Sequence, residues 1–287
     1  MTAPRLSIVL STRDRAAFLP DALRALERIE SPAPWELIVV DNGSTDATPD
    51  VLRAFAASTR VAFRAVHEPR PGLSRARNAG WRAATADVIA FTDDDCYPAP
   101  DFVDAWLACF TDPAVGYAGG RITLHDPADA PVTIQLLDTP VEFVPRTFAR
   151  AGVIQGANMA ARRTVLDALG GFDERLGAGT PFPSEDLDFV SRAAAAGWAG
   201  RYDPRPSVAH HHRRRTPEQV EALRRGYDLG RGAYYAKCLL DPLRRAAAAR
   251  VWTRSLARTL AAAPGSARAR AQFAGELRGA LGWLAGR

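Results

Sequence analysis

The feature that most constrains this chain is an alternation of short aliphatic and β-branched runs with stretches of helical spacing. Residues 6–11, 37–40 and 88–92 form apolar runs and residues 61–66 a further strand-like one, and residues 18–29, 49–57 and 73–84 carry the helical patterns between them. Within 18–29, Leu19, Leu23 and Leu26 recur on one helical face. Strands that are apolar along their whole length and joined by helices belong to a parallel sheet covered on both faces. Crossovers between such strands are nearly always right-handed, so their C-terminal ends collect on one edge, where open α/β sheets bind ligands.

The polar residues fall on that edge. Thr12, Arg13 and Asp14 follow the first strand, residues 41–46 follow the second, and residues 93–95 follow the fourth. One such placement could arise by chance; three at one edge point to a site. Beyond Asp95 the pattern predicts a helix over 101–110, a strand and turn over 113–120, and a proline-broken stretch over 122–150 of the kind that forms loops over a pocket. A strand over 156–161, helices over 163–169 and 185–196, and an extended segment over 202–212 follow. From Thr216 the chain reads as helix. The expected organisation is a catalytic α/β unit, residues 1–215, and a helical C-terminal extension, residues 216–287.

Composition narrows the classes. Three cysteines with no CxxC pair argue against a disulfide framework. No run approaches the ~18 apolar residues of a membrane span, and residues 6–10 are too short for a signal sequence, so a cytoplasmic protein is expected. The net charge is +5, with arginine crowded into the last third and acids nearer the strand ends. A nucleic-acid binder would interleave basic and aromatic residues where this chain is acidic.

Phe91-Thr92-Asp93-Asp94-Asp95 ends a buried strand in three carboxylates. In an extended chain Asp93 and Asp95 point to the same side. A hard cation such as Mg²⁺ or Mn²⁺, held by one or two carboxylates and phosphate oxygens, would compensate that charge; a solvated turn before Pro98 is the competing reading. In Ser184-Glu185-Asp186-Leu187-Asp188 the serine is a good N-cap. The acids after it either complement the helix dipole or include a general base. On a strand, His210 and His212 share a face and are either metal ligands or part of a basic patch with residues 213–215. Arg75 and Arg77 open the helix before the acidic strand, in reach of phosphate or of the carboxylates, and Asn78 is polar on an otherwise apolar helix. No GxGxxG follows the first strand, and no P-loop or GxSxG elbow is present. The glycines of residues 226–232 suit close helix packing.

In order, SIVLSTRDR, ELIVVDNGSTDAT, GLSRARNAG, VIAFTDDDC, GANMAARR, GGFDERLG, SEDLDF and SVAHHH resemble the family-2 glycosyltransferases of GT-A fold, across roughly residues 6–212. The resemblance implies a mixed, mainly parallel sheet flanked by helices and an inverting transfer from a nucleoside-diphosphate sugar of UDP, GDP or dTDP type. The acceptor would be a carbohydrate, a lipid-linked molecule or a small molecule. Ser11, Thr12 and Asp41 would contact base and ribose, with Arg13, Arg75, Asn78 and Asp94 also on the donor side. Asp93 and Asp95 correspond to the DxD pair, with His210, or in reserve His212, as the further ligand of Mn²⁺ or Mg²⁺. Asp186 would be the base, assisted by Glu185, and Gly156 and Asn158 would line the sugar site. Many relatives have two acids where this chain has Asp41 and Asn42, which leaves the nucleotide open.

The tail is outside the resemblance. Trp252, Leu256 and Leu260 repeat every four residues, as do Arg250, Arg254 and Arg258, and then Phe273, Leu277 and Leu281. Such helices either lie on a membrane surface, near a lipid-linked acceptor, or pack on the catalytic unit or a second subunit with arginines outward; packing is preferred. The alternatives to transfer are a sugar-nucleotide pyrophosphorylase, which would need a glycine-rich basic loop where Ser11-Thr12-Arg13-Asp14 stands, and a non-catalytic nucleotide-sugar binder.

Overall fold

The computed structural model describes residues 3–148 and 152–286; Met1, Thr2, the loop residues 149–151 and Arg287 lie outside the described residues. The alternation builds the expected sheet. Strands β1 (Leu6–Thr12), β2 (Trp35–Asp41), β3 (Ala62–His67) and β4 (Val88–Asp93) pair in parallel, with β1 between β2 and β4. Helices α1 (Leu19–Glu27), α2 (Thr48–Ser58) and α3 (Leu73–Ala83) make the crossovers.

Period-two alternation divides β1 between two cores. Leu6, Ile8 and Leu10 join α1 and α2 on one face, and Val9 joins α3 on the other. Gly80 allows α3 that approach, because a Cβ there would come within 2.3 Å of the Val9 side chain.

The remaining strands extend the sheet past β4. They are β5 (Cys96–Pro98), β6 (Val115–Leu124), β7 (Val141–Phe143), β8 (Asn158–Arg162) and β9 (Ala199–His210), in the order β3-β2-β1-β4-β8-β6-β9-β5 with β7 on β9. The β4–β8, β6–β8, β5–β9 and β7–β9 pairings are antiparallel and only β6–β9 is parallel. The sheet is therefore mixed, its parallel character concentrated in the N-terminal half. Helix α4 (Phe102–Cys109) covers the α1 face, while α5 (Arg163–Leu169) and α6 (Glu185–Ala195) cover the α3 face. Within the stretch expected to be irregular, β6 runs on to Leu124 and β7 forms a short strand.

Three helices follow the last strand: α7 (Pro217–Leu239), α8 (Arg245–Ala262) and α9 (Ala267–Ala285). Thr216 caps α7 in a capping box with Gln219. Glycines let α7 and α9 touch backbone to backbone: a Cβ on Gly232 would meet the Glu276 carbonyl at 1.9 Å, and one on Gly279 the Leu229 carbonyl at 2.0 Å. A buried ionic cluster fastens this layer to the sheet. Asp188 of α6 accepts from Arg192 (2.8 Å), Lys237 (2.8 Å) and Arg244 (3.1 Å), and Lys237 also reaches Asp173. The tail thus packs on the α/β unit with Arg250, Arg254 and Arg258 exposed, as the packing reading expects. Its last helix departs from the expected stripe. The buried face of α9 is Ala269, Gly275, Glu276, Gly279, Ala280 and Trp283, while Leu277 and Leu281 point outward, because close approach to α7 selects small residues over leucine.

Candidate active site

The site forms where β1, β2 and β4 end. Ser11 and Thr12 of β1, Arg13 just after it, Asn42 after β2, Gly72 at the N-cap of α3, Leu73 and Ala76 in its first turn, and Ala178 and Gly179 line an open cleft of about 440 Å³. The buried Ser11 hydroxyl has no protein partner among the described residues. Asp41 lies beside this cleft, its carboxylate accepting from the Ser44 amide (3.0 Å) and contacting His67 Nδ1 (3.3 Å). The Asn42 amide donates to the Glu68 and Arg70 carbonyls at 3.1 and 2.8 Å, and its oxygen accepts from the Gly72 amide at 2.7 Å. A carboxylate could not make the two donations. The chain's departure from a paired acid at this point therefore has a local structural reason.

The acidic motif does not behave as an alternating strand. The strand ends at Asp93 and the chain turns through Asp94 and Asp95, so the three carboxylates take different protein partners. Asp93 accepts from Arg77 Nη2 at 3.1 Å. Asp94 accepts from the Thr12 hydroxyl at 2.7 Å and Arg15 Nε at 3.1 Å, while Asp95 contacts Arg15 Nη2 at 3.4 Å and His210 Nε2 at 3.3 Å. Burial, with the charges of Asp95 and Asp93 adding, pushes the Asp94 carboxyl up to about 6 against Arg15 and Thr12. Burial also disfavours charge on Asp95 and His210, but their contact outweighs it, lowering the acid and raising the imidazole.

Asp95, Cys96 and His210 bring ligand atoms within 4.8 Å of one another. Burial and then the neighbouring aspartates hold the Cys96 thiol far above its ordinary range, and its soft sulfur matches a hard Mg²⁺- or Mn²⁺-like cation poorly. The donor set left, one carboxylate and one imidazole open to phosphate oxygens, fits a Mn²⁺-like cation. His212 does not join it. Its Nδ1 accepts from the Arg214 amide and its Nε2 faces the Ala130 carbonyl, so both ring nitrogens are spent in holding the chain after β9.

The second acidic motif opens α6. Ser184 stands at the N-cap position, but its hydroxyl makes no capping bond. Glu185 is buried and accepts from Arg77 Nη1 at 2.8 Å; burial and then Asp186 push its carboxyl up to about 6, against Arg77. Asp186 is half-buried, and its two oxygens accept from the Gly156 amide (2.8 Å) and the Leu187 amide (2.7 Å). Arg77 Nη2 also donates to the Gly156 carbonyl at 3.0 Å, so one guanidinium joins Asp93, Glu185 and the Gly156 backbone.

Three expected donor or sugar residues are engaged by protein partners. Arg75 faces Glu174 at 3.7 Å, because two helix positions, about 200°, turn it away from the strand that Arg77 meets. Asn78 is buried and clamps the turn before α6, donating to the Phe172 carbonyl and accepting from the Phe172 amide, both at 2.9 Å. Asn158 is fully buried and donates to the Arg121 and Pro206 carbonyls, tying β8 to its neighbours instead of lining the cleft. Sequence reasoning missed Arg15 and Tyr227. Arg15 lies three residues past β1, at the end of the SIVLSTRDR segment, where only the fold shows that it reaches Asp94 and Asp95. Tyr227 is on α7 and 42% exposed, and desolvation around its hydroxyl and then the Asp186 charge hold its phenol above the ordinary range.

The mixed sheet, with an acidic turn at its ligand edge and a second acidic pair at a helix start, is a GT-A fold, shared with the solved structures below. The chain belongs to Glycosyl transferase family 2, whose model matches residues 7–170. Over 215 residues it is 29% identical to the pre-mycofactocin glycosyltransferase of Mycobacterium tuberculosis, covering 72% of this chain and 43% of that protein. It is 34% identical to an uncharacterized glycosyltransferase of Mycobacterium bovis over 204 residues, 69% of this chain and 83% of the other. Among solved structures, the Pyrobaculum calidifontis mannosyltransferase in complex with GDP-Man and Mn²⁺ superposes with a TM-score of 0.68 at 22% identity, covering 99% of this chain and 88% of that one. Staphylococcus aureus TarS (residues 1–349) with UDP-GlcNAc gives 0.66 at 16%, covering 95% and 79%.

Proposed function

We propose that the chain transfers a glycosyl group from a nucleoside-diphosphate sugar to an acceptor hydroxyl with inversion, its α/β unit (residues 1–215) holding the site and its helices (216–287) supporting it. The observation that carries this reading is Arg77, which joins Asp93 at the β4 end to Glu185 beside Asp186. Donor-side and acceptor-side carboxylates thereby share one rigid cation.

The donor's base and ribose occupy the cleft between β1 and β2, against Ser11, Thr12, Arg13 and Asp41, with Asp93 and Asp94 toward the ribose and diphosphate. Asp95 and His210 hold Mn²⁺ or Mg²⁺, which, when bound, stabilises negative charge on a diphosphate leaving group. Asp186 takes the acceptor hydroxyl's proton as its oxygen attacks the anomeric carbon and the sugar–diphosphate bond breaks on the opposite side. Its two backbone amide bonds fix the carboxylate's aim, and its partial exposure leaves it reachable. A positioned base of this kind contributes about 10²–10⁴-fold. Glu185, buried and held by Arg77, orients this corner of the site. The two solved neighbours were bound to GDP-Man and UDP-GlcNAc respectively, so both nucleotides, and dTDP, are candidates here.

Thermal shift with UDP, GDP and dTDP, each with and without Mn²⁺, tests the donor site. Stabilisation by one nucleotide that needs Mn²⁺ supports it and names the donor. No stabilisation by any pair overturns it.

A further inference from the structure

The outer face of the C-terminal helices is exposed among the described residues, and its chemistry is one-sided. On α9, Leu277, Leu281 and Leu284 recur at i, i+4 and i+7 and are 38%, 67% and 46% exposed. They lie opposite the Gly275, Gly279 and Trp283 side that seats the helix on the molecule. Leu260 at the end of α8 is 50% exposed. Between Arg245 and Ala285 the sequence holds seven arginines and a single acid, Glu276. That acid is buried and paired with Arg231, Gln272 and Trp252. Arg245, Arg250, Arg254, Arg258, Arg270 and Arg278 are exposed, so among the described residues of α8 and α9 the surface charge is wholly positive. No helix of the described residues is long and apolar enough to cross a membrane.

We propose that α8 and α9 dock the protein on an anionic phospholipid surface, with Leu277, Leu281 and Leu284 entering the headgroup boundary and the arginines engaging lipid phosphates. Helices that lie in this interface pair an apolar ridge with a cationic flank, and basic side chains add attraction to anionic leaflets. A second copy of this chain is a poorer match. It would bring the same arginines against themselves, and no exposed acid on these helices would meet them. This inference is independent of the glycosyl-transfer reading.

The full chain is sedimented with vesicles of phosphatidylglycerol and phosphatidylcholine, and with phosphatidylcholine alone. Binding to the anionic vesicles is expected, falling with salt and weakened at least about tenfold by Leu281→Glu with Leu284→Glu, and likewise by Arg254→Glu with Arg258→Glu. These side chains are exposed, so melting temperature and nucleotide-dependent thermal shift should match the parent and report folding and the donor site separately. No binding to anionic vesicles, equal binding to neutral ones, or binding untouched by the leucine changes overturns the proposal. A concentration-dependent dimer abolished by the leucine changes assigns the face to a second copy instead.

Discussion

Arg77 and Glu185, 108 residues apart in sequence, meet at 2.8 Å with the arginine almost wholly buried. The pair joins the helix before the acidic strand to the helix that presents Asp186. A guanidinium suits the place because its planar fork serves several acceptors at once, as an ammonium does not. Arg77→Lys should therefore fold but lower kcat by about 10–100-fold, whereas Arg77→Ala, which strands two carboxylates, should cost about 3–5 kcal/mol of stability. Steady-state kinetics beside thermal melts separates the two; an Arg77→Lys enzyme with parental kcat would remove the positioning role.

Asp186→Asn retains the size of the side chain and one amide-accepting oxygen but cannot take a proton. Turnover should fall by about 10²–10⁴-fold while nucleotide affinity stays within about twofold. Nucleotide release at saturating donor measures the first and calorimetry the second. Undiminished turnover would move the base elsewhere, with Glu185→Gln the next variant to measure.

Asp95→Ala and His210→Ala should each abolish the Mn²⁺-dependent part of nucleotide stabilisation, and a chelator should do the same to the parent. At about 100 times Kd that stabilisation is about 2.7 kcal/mol. His212→Gln should leave the metal dependence intact while lowering the melting temperature, since its ring holds the Ala130 and Arg214 backbones. Loss of Mn²⁺ dependence in His212→Gln alone would reverse the assignment of the two histidines.

Asp188 links α6 to the C-terminal helices. Burial alone would push its carboxyl up, but Lys237, Arg192 and Arg244 together hold it below the ordinary 3.8. A depressed carboxyl contributes stability that is present above the unfolded value and is lost as pH falls through the folded one. Asp188→Asn should thus cost about 3–5 kcal/mol near neutral pH, and the gap to the parent should close as pH drops below about 4. Denaturant melts across pH 3–7 would show it, and a gap constant with pH would rule the ionic account out.

Removing the Tyr227 ring tests whether α7 borders the acceptor. Tyr227→Ala should raise the acceptor KM by about tenfold at nearly constant kcat, as loss of uniform binding does, and Tyr227→Phe should restore most of it. An unchanged KM would place the acceptor elsewhere.

The sequence by itself determined the sheet's first half and where its ligand edge lies. Continuous apolar runs such as 37–40 must be buried on both faces, and the leucines of α1 must turn to one side, whatever the rest of the chain does. It also marked Asp95, Asp186 and His210, because charged or titratable groups at strand ends and helix starts stand out against an apolar background. Tertiary structure decided the partners. Alternation paired Asp93 with Asp95 until a turn sent one to Arg77 and the other to His210. Asn78 and Asn158 carry the same amide whether they meet a ligand or a carbonyl, and only the fold put Phe172 and Arg121 in their reach. Periodicity likewise gave α9 an apolar stripe without telling which side would be covered. The glycine and alanine side matched α7, and the leucines were left facing out. Local pattern follows from backbone geometry and burial, which each segment carries within itself. Which group meets which depends on contacts between segments far apart in the chain.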